Sequence, residues 1–278
     1  MSALLFHRTL PVRHQVDVFV AGGGPAGVAA ALSAARQGAS VFLAEGHSCF
    51  GGMGTAGMVP AFMCFGDGVN FLADGIGRQV YDLMWERGGV GPDDDRERSA
   101  HTSLGIQAEV LKRIYDDLIV ASGVEFAFHT NLIGVETDGG RVTHAVCWGK
   151  SGTFAVKAHA FVDCTGDGDL AAWAGAPFEK GDAEGNTMPG TLCSLWADVD
   201  WEAVRADGRY PQSVIPEAIR DGVIGVEDPH LPGLWRVGAR VGAGNIGHTF
   251  GVDNTDERSV TEALLYGRKL LAQYERFY

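Results

Sequence analysis

Three glycines at fixed spacing, Gly22, Gly24 and Gly27, fall inside the run Val16–Ala31 (VDVFVAGGGPAGVAAA), and Glu45 follows twenty-three residues after the first of them. The chemistry such a turn can do comes from withholding side chains. Gly22 permits a tight turn, Gly24 lets main chain come within hydrogen-bond distance of a pyrophosphate, and Gly27 lets the next helix lie close to the strand. Pro25 and Ala26 open that helix, whose free N–H groups and partial positive charge attract phosphate oxygens. Glu45, at the end of the following strand, is placed to accept hydrogen bonds from an adenosine ribose, and its charge disfavours a 2′-phosphate. A bare glycine triplet is also just a turn. Strand, helix and acid at their proper distances turn it into a dinucleotide fingerprint.

Two further stretches narrow the choice of dinucleotide: His47–Gly57 (HSCFGGMGTAG) and Val162–Ala171 (VDCTGDGDLA). At these residues the chain resembles the FAD-dependent oxidoreductases of the glutathione-reductase-like superfamily, on the branch related to fumarate reductases. The resemblance covers residues 14 to 178 strongly and 253 to 278 more weakly. It implies that FAD is the cofactor, that Gly51 and Gly52 line its diphosphate, and that Met53 to Gly57, Thr55 among them, line the flavin ring. It also implies that the Cys164-Thr165-Gly166 turn, with Cys where the family has Ala, lies near the adenosine half together with Asp167 and Leu132. His47 does not sit at the offset of a covalent flavin histidine, so FAD is expected to be held non-covalently. Family members usually continue into a C-terminal segment with a Gly-Asp motif, which is missing before Tyr278. The expectation that follows is a truncated product, a completing polypeptide or homo-oligomer partner, or a cofactor held incompletely.

The reading is therefore an FAD-dependent oxidoreductase moving hydride between a small organic substrate and flavin. Two alternatives stand beside it: a flavin-binding subunit or fragment that needs a partner chain, and an NAD-linked dehydrogenase, against which the Gly51-Gly52 pair and the Cys-Thr-Gly turn speak.

Other groups carry less. Asp163, Asp167 and Asp169 are spaced like metal ligands, but neither EF-hand register supplies the twelfth-position Glu, so turn and helix-cap roles are expected and no metal. Five scattered cysteines form no redox or metal spacing and are read as thiols of a cytoplasmic protein. His248, in the glycine-flanked run Asn245–Asp253 (NIGHTFGVD), is the candidate catalytic acid or base, a structural histidine being the competing reading. Arg236 and Arg240 could hold a substrate carboxylate; Trp196, Trp201 and Trp235 read as core.

The elements that must position these residues follow from periodicity. Val16–Ala21 reads as a buried strand, Ala26–Gln37 as a helix stopped by Gly38, and Ser40–Ala44 as a second strand. Gln107–Ser122 carries an amphipathic helical pattern closed by Gly123. Short strands are expected at Val124–Phe128, Leu132–Thr137, Val142–Trp148, Thr153–Lys157 and Ala158–Cys164. The fold class is thus α/β: a doubly wound, Rossmann-like FAD-binding domain over 1–175, with an irregular insertion at about 58–100. A smaller, mostly β substrate or cap domain follows over 176–255, then a helix over 256–278 that returns to the FAD domain.

A net charge of −13 without a basic stripe argues against nucleic acid and anionic membrane as partners, which leaves a small-molecule substrate. Forty glycines in 278 residues, about twice the usual ~7%, form no period and so mark turns rather than a repeat. The apolar patch Ala3–Phe6 is followed by His7, Arg8 and Arg13 with no small-residue cleavage site, and is not expected to be a signal peptide. No run reaches the length of a membrane span.

Overall fold

The structure, a computed structural model, describes residues 4–5, 7–209, 211–226, 228–231 and 233–278. Ala3 and Phe6, the ends of the N-terminal apolar patch, lie outside them. Contacts divide the chain into two units, 1–52 with 112–178, and 53–111 with 179–278.

The first unit begins with β1 (Val12–Ala21), α1 (Pro25–Arg36) and β2 (Val41–Ala44). All four residues of β2 are buried, as in a parallel strand covered on both faces. Helix α1 buries Gly27, Val28, Ala31 and Leu32, a stripe narrow enough to lie against the strands. The chain next makes β3 (Ala61–Phe62), α2 (Ile76–Glu86), α3 (Arg98–His101) and β4 (Leu104–Gly105) in the second unit. Helix α4 (Ala108–Ser122) leads back into the first.

There β5 (Glu125–Ala127), β6 (Asn131–Asp138), β7 (Arg141–Gly149), β8 (Gly152–Asp163) and α5 (Asp169–Trp173) complete it. The sheet runs β5-β2-β1-β8-β7-β6, its first three pairings parallel and the last two antiparallel. Its core holds Phe19, Phe42, Cys147, Phe154 and Val156, and burying one such large side chain contributes about 1.5–3 kcal/mol.

The two strands expected at Thr153–Lys157 and Ala158–Cys164 are the single strand β8. Its first half pairs with β7 and its second half with β1, Ala155 to Lys157 facing both. The change of neighbour alters the polarity pattern midway without breaking the strand.

The second unit continues with β9 (Gly190–Thr191), β10 (Ser194–Ala197), α6 (Trp201–Asp207) and α7 (Pro211–Arg220). It ends with β11 (Gly233–Gly238), β12 (Val241–Asn245), β13 (His248–Thr249) and α8 (Glu257–Phe277). The span 176–255 is therefore not mostly β. Asp200 starts α6 by accepting from the N–H groups of Glu202 and Ala203 at 3.1 and 3.0 Å, a cap that the sequence reading passed over. Helix α2 was hidden by Gly75 and Gly77; its buried Val80, Tyr81 and Met84 share one face.

Asp256 caps α8, which packs with Ile215, Ile224, Leu231 and Ile246 through Leu270 and Tyr274. A Cβ at Gly267 would lie 2.9 Å from that of Leu192. This close approach sets the buried stripe along Gly267, Leu270 and Tyr274 and leaves Leu264 exposed. No helix among the described residues is long and apolar enough to cross a membrane.

Candidate functional site

The glycines after β1 are required for different reasons. Gly22 has φ +93°, and a Cβ there would lie 2.3 Å from the Cys164 carbonyl oxygen. At Gly27 a Cβ would lie 1.8 Å from the Gly22 carbonyl oxygen, which shows how closely α1 meets the turn. Gly24 differs from both: its backbone is φ −64°, ψ −176°, open to any residue, and a Cβ would meet nothing within 4 Å. Neither strain nor crowding by the chain calls for glycine at this position. The open space lies at the start of α1, whose first turn holds no acidic side chain to meet its N–H groups, while Pro25 and Ala26 are exposed. A diphosphate fits this cradle.

A second glycine turn closes on the first. Gly51 and Gly52 have φ +104° and +46°, Gly51 N–H donates to the Gly23 carbonyl at 2.9 Å, and a Cβ on Gly52 would lie 3.2 Å from Gly24 Cα. Main chain meets main chain there, with no side chain from these glycines between the two turns.

Glu45 is 4% exposed. Its Oε2 accepts from Gly23 N–H and its Oε1 from His47 N–H, both at 2.6 Å. The carboxylate assigned from sequence to a ribose thus also clamps the loop, with further lone pairs on each oxygen. Thr130 N–H bonds the Glu45 carbonyl at 2.9 Å, tying in the segment before β6. Leu132 in β6 packs its side chain against the sheet core.

At the end of β8, Cys164 N–H donates to the Ala21 carbonyl at 2.8 Å, which brings the third motif beside the first. Asp163 accepts from Thr165 N–H at 3.0 Å, the Thr165 hydroxyl at 2.7 Å and Ala171 N–H at 2.9 Å. Burial by itself would raise this carboxyl, but the donors of Ala171 and Thr165 outweigh it and hold Asp163 below the usual carboxylate range. The Thr165 oxygen accepts from Gly168 and Asp169 N–H, each at 3.0 Å, so Asp163 and Thr165 act as turn and cap groups for α5. Gly166 (φ +96°) and Asp167 are exposed at the tip. Among the described residues, no cluster of three or more His, Cys, Asp or Glu is arranged to hold a metal.

In the second unit, Met53 is 65% exposed and Thr55 is buried. Arg236 pairs with Asp93 at 3.1 Å and Arg240 with Asp198 at 2.8 Å, so both guanidinium groups offered for a substrate carboxylate are engaged. Trp196, Trp201 and Trp235 are half-buried. His248 stands beside Asp228 and His230, two residues that the sequence reading missed. They lie about twenty positions away on another segment, and no spacing rule connects them to His248.

The model of the family described as FAD dependent oxidoreductase matches residues 17–278. No curated protein matches the sequence. Among solved structures, the chain is similar to a geranylgeranyl bacteriochlorophyll reductase-like protein from Thermoplasma acidophilum (19% identity, 58% of this chain and 42% of that one, TM-score 0.44). It is also similar to p-nitrophenol 4-monooxygenase PnpA from Pseudomonas putida DLL-E4 (15%, 68% and 49%, TM-score 0.45) and to L-proline dehydrogenase from P. horikoshii (14%, 62% and 58%, TM-score 0.44). In each case less than two thirds of the solved chain is spanned. With the family model running over nearly all of its length, the chain belongs to the FAD dependent oxidoreductase family, and FAD is its cofactor.

Proposed function

We propose that this enzyme transfers hydride between a small organic molecule and non-covalently bound FAD, with the first unit holding the dinucleotide. Gly24 carries the reading: it is the one glycine of the fingerprint that the chain's own geometry leaves unexplained, and it opens onto unfilled space at a helix N-terminus. In this reading the main chain of Gly22, Gly24, Pro25, Ala26 and Gly27, with Gly51 and Gly52 opposite, surrounds the diphosphate. Glu45 holds the ribose while keeping its clamp on Gly23. Leu132, through its main chain, and the Thr165-Gly166-Asp167 turn border the adenosine half. When bound, FAD supplies the redox chemistry, and the protein contributes binding, orientation and exclusion of water.

The test is to titrate purified chain with FAD, following flavin fluorescence, beside Gly24→Val. Saturable, stoichiometric binding lost in Gly24→Val supports the assignment; a variant that binds FAD as well as the parent refutes it. The family match decides against the NAD-linked alternative, since its description names FAD.

A further inference from the structure

The first unit carries a second cleft, of about 390 Å³, and none of the residues assigned to the dinucleotide lines it. Arg13 of β1, Lys150 and Ser151 of the turn between β7 and β8, and the rings of Phe128 and Phe154 contribute to its walls. Arg13 is held by neutral groups. Its terminal nitrogens donate to the Ser151 hydroxyl at 2.6 Å and to the Ser151 carbonyl at 3.1 Å, and its guanidinium lies 4.6 Å from the centroid of the Phe154 ring. These contacts use two of the five N–H donors of the guanidinium. The Ser151 hydroxyl, accepting from Arg13, keeps its own hydrogen to donate.

Among the described residues, no carboxylate pairs with Arg13 or with Lys150. Glu125, next to the cleft residue His14, is engaged: its Oε2 lies 3.2 Å from the His14 Nδ1. The chain has 35 acidic against 22 basic residues, and Arg78, Arg96, Arg236 and Arg240 each have an aspartate partner. The cleft beside Phe71 and Tyr81 in the second unit shows the contrast, since its two arginines share Asp82. Tying the turn to β1 accounts for the contacts of Arg13. It does not account for a second cation, Lys150, next in sequence to the partner of Arg13 with no carboxylate to offset the repulsion.

We propose that this cleft is a second ligand site, separate from the dinucleotide cradle, and that it takes a small phosphate monoester with a compact apolar body. Two uncompensated cations match the charge of a phosphate monoester, about −1.5 to −2 at neutral pH, better than the single charge of a carboxylate. The unused donors of the Arg13 fork, the Lys150 ammonium and the Ser151 hydroxyl suit its oxygens, and the Arg13 fork is already fixed in orientation by Ser151 and Phe154. Phe128 and Phe154 offer apolar surface to the rest of the molecule. The volume lies at the low end of small-molecule sites, which start at about 300 Å³, and so calls for a compact ligand. The site stands on the first unit alone and does not depend on the hydride-transfer reading.

The test is calorimetric titration of the FAD-loaded chain with phenyl phosphate, benzoate and inorganic phosphate at fixed ionic strength. Phenyl phosphate should bind at one saturable site, about ten-fold or more tighter than either of the others. Lys150→Gln, a change at an exposed turn, should weaken that binding about ten-fold or more, and Arg13→Gln at least as much. Flavin occupancy and melting temperature should stay at the parent's values in Lys150→Gln, which keeps the test sound if Arg13→Gln loosens the turn. Lys269→Gln, on α8 of the second unit, removes the same charge elsewhere and should bind like the parent. No saturable binding of phenyl phosphate, benzoate or inorganic phosphate binding as tightly, unchanged affinity in Lys150→Gln, or an equal loss in Lys269→Gln would each overturn the proposal. Dependence on Lys150 assigns the binding to this cleft rather than to the cradle whether or not FAD is loaded, so a failure of the chain to take up FAD leaves the result readable.

Discussion

The Glu45 carboxylate reaches back across the sheet edge to the main chain of Gly23, Oε2 to N at 2.6 Å, and so fixes the phosphate-type loop from the end of the neighbouring strand. The same side chain accepts His47 N–H, so it also holds the start of the segment that runs on to the second glycine turn. Removing it should act twice. Glu45→Ala should weaken FAD binding by about 1.5–3 kcal/mol, and should also destabilise the FAD-free protein by about 1–3 kcal/mol through the two amides left without a partner. Fluorescence titration and urea unfolding separate the two effects; FAD affinity equal to the parent's would remove the ribose assignment and leave only the clamp.

Gly24 and Gly27 should respond in opposite ways. A side chain at Gly24 enters open space, so Gly24→Val should leave FAD-free stability within about 1 kcal/mol while abolishing FAD binding. Gly27→Ala forces a methyl against the Gly22 carbonyl and should cost about 3 kcal/mol even without ligand. Thermal unfolding of both FAD-free variants checks the contrast, and equal losses of stability would contradict it.

Asp163 links pH to stability. Its carboxyl is held below its ordinary value in the folded chain, so the stabilisation is present above the unfolded-state value of about 3.9 and is lost as pH falls through the folded value. Asp163→Asn should lower stability at neutral pH and flatten the decline on acidification below about pH 4. Parallel slopes for parent and variant in acid unfolding curves would show that the turn donors do not tune this group.

The cysteines should separate by reactivity. Cys64 is exposed, whereas burial pushes the Cys147 thiol up to about 12 inside the sheet core. Iodoacetamide at pH 8 should alkylate Cys64 within minutes and Cys147 only after unfolding, since the thiolate is the reacting form. Peptide mass spectrometry gives the order, and early labelling of Cys147 would mean that the sheet core opens readily.

How much of this was legible beforehand depends on the range of the physics involved. The β1–α1–β2 unit, its fingerprint glycines and Glu45 could be read from the chain, because a tight turn, a helix start and a buried strand are local demands on residues close in sequence. Helix α8 was equally visible. The continuity of β8 was not, because its two halves answer to different neighbouring strands. Helix α6 was missed because it has only 7 residues and buries none of them, and α7 because Pro216 stands inside it. Within the site, the sequence marked Gly22, Gly24 and Gly27 as one motif, and only the tertiary structure showed that two of them are crowded by the Cys164 and Gly22 carbonyls while the third faces empty space. Likewise His248 stood out as a residue, but its pairing with Asp228 and its stacking on His230 follow from long-range packing of β13 against the segment after α7. Local sequence determined where backbone had to turn and which faces had to be buried; which distant side chains share a site was decided by the folded chain, because contacts between remote segments leave no period in the sequence.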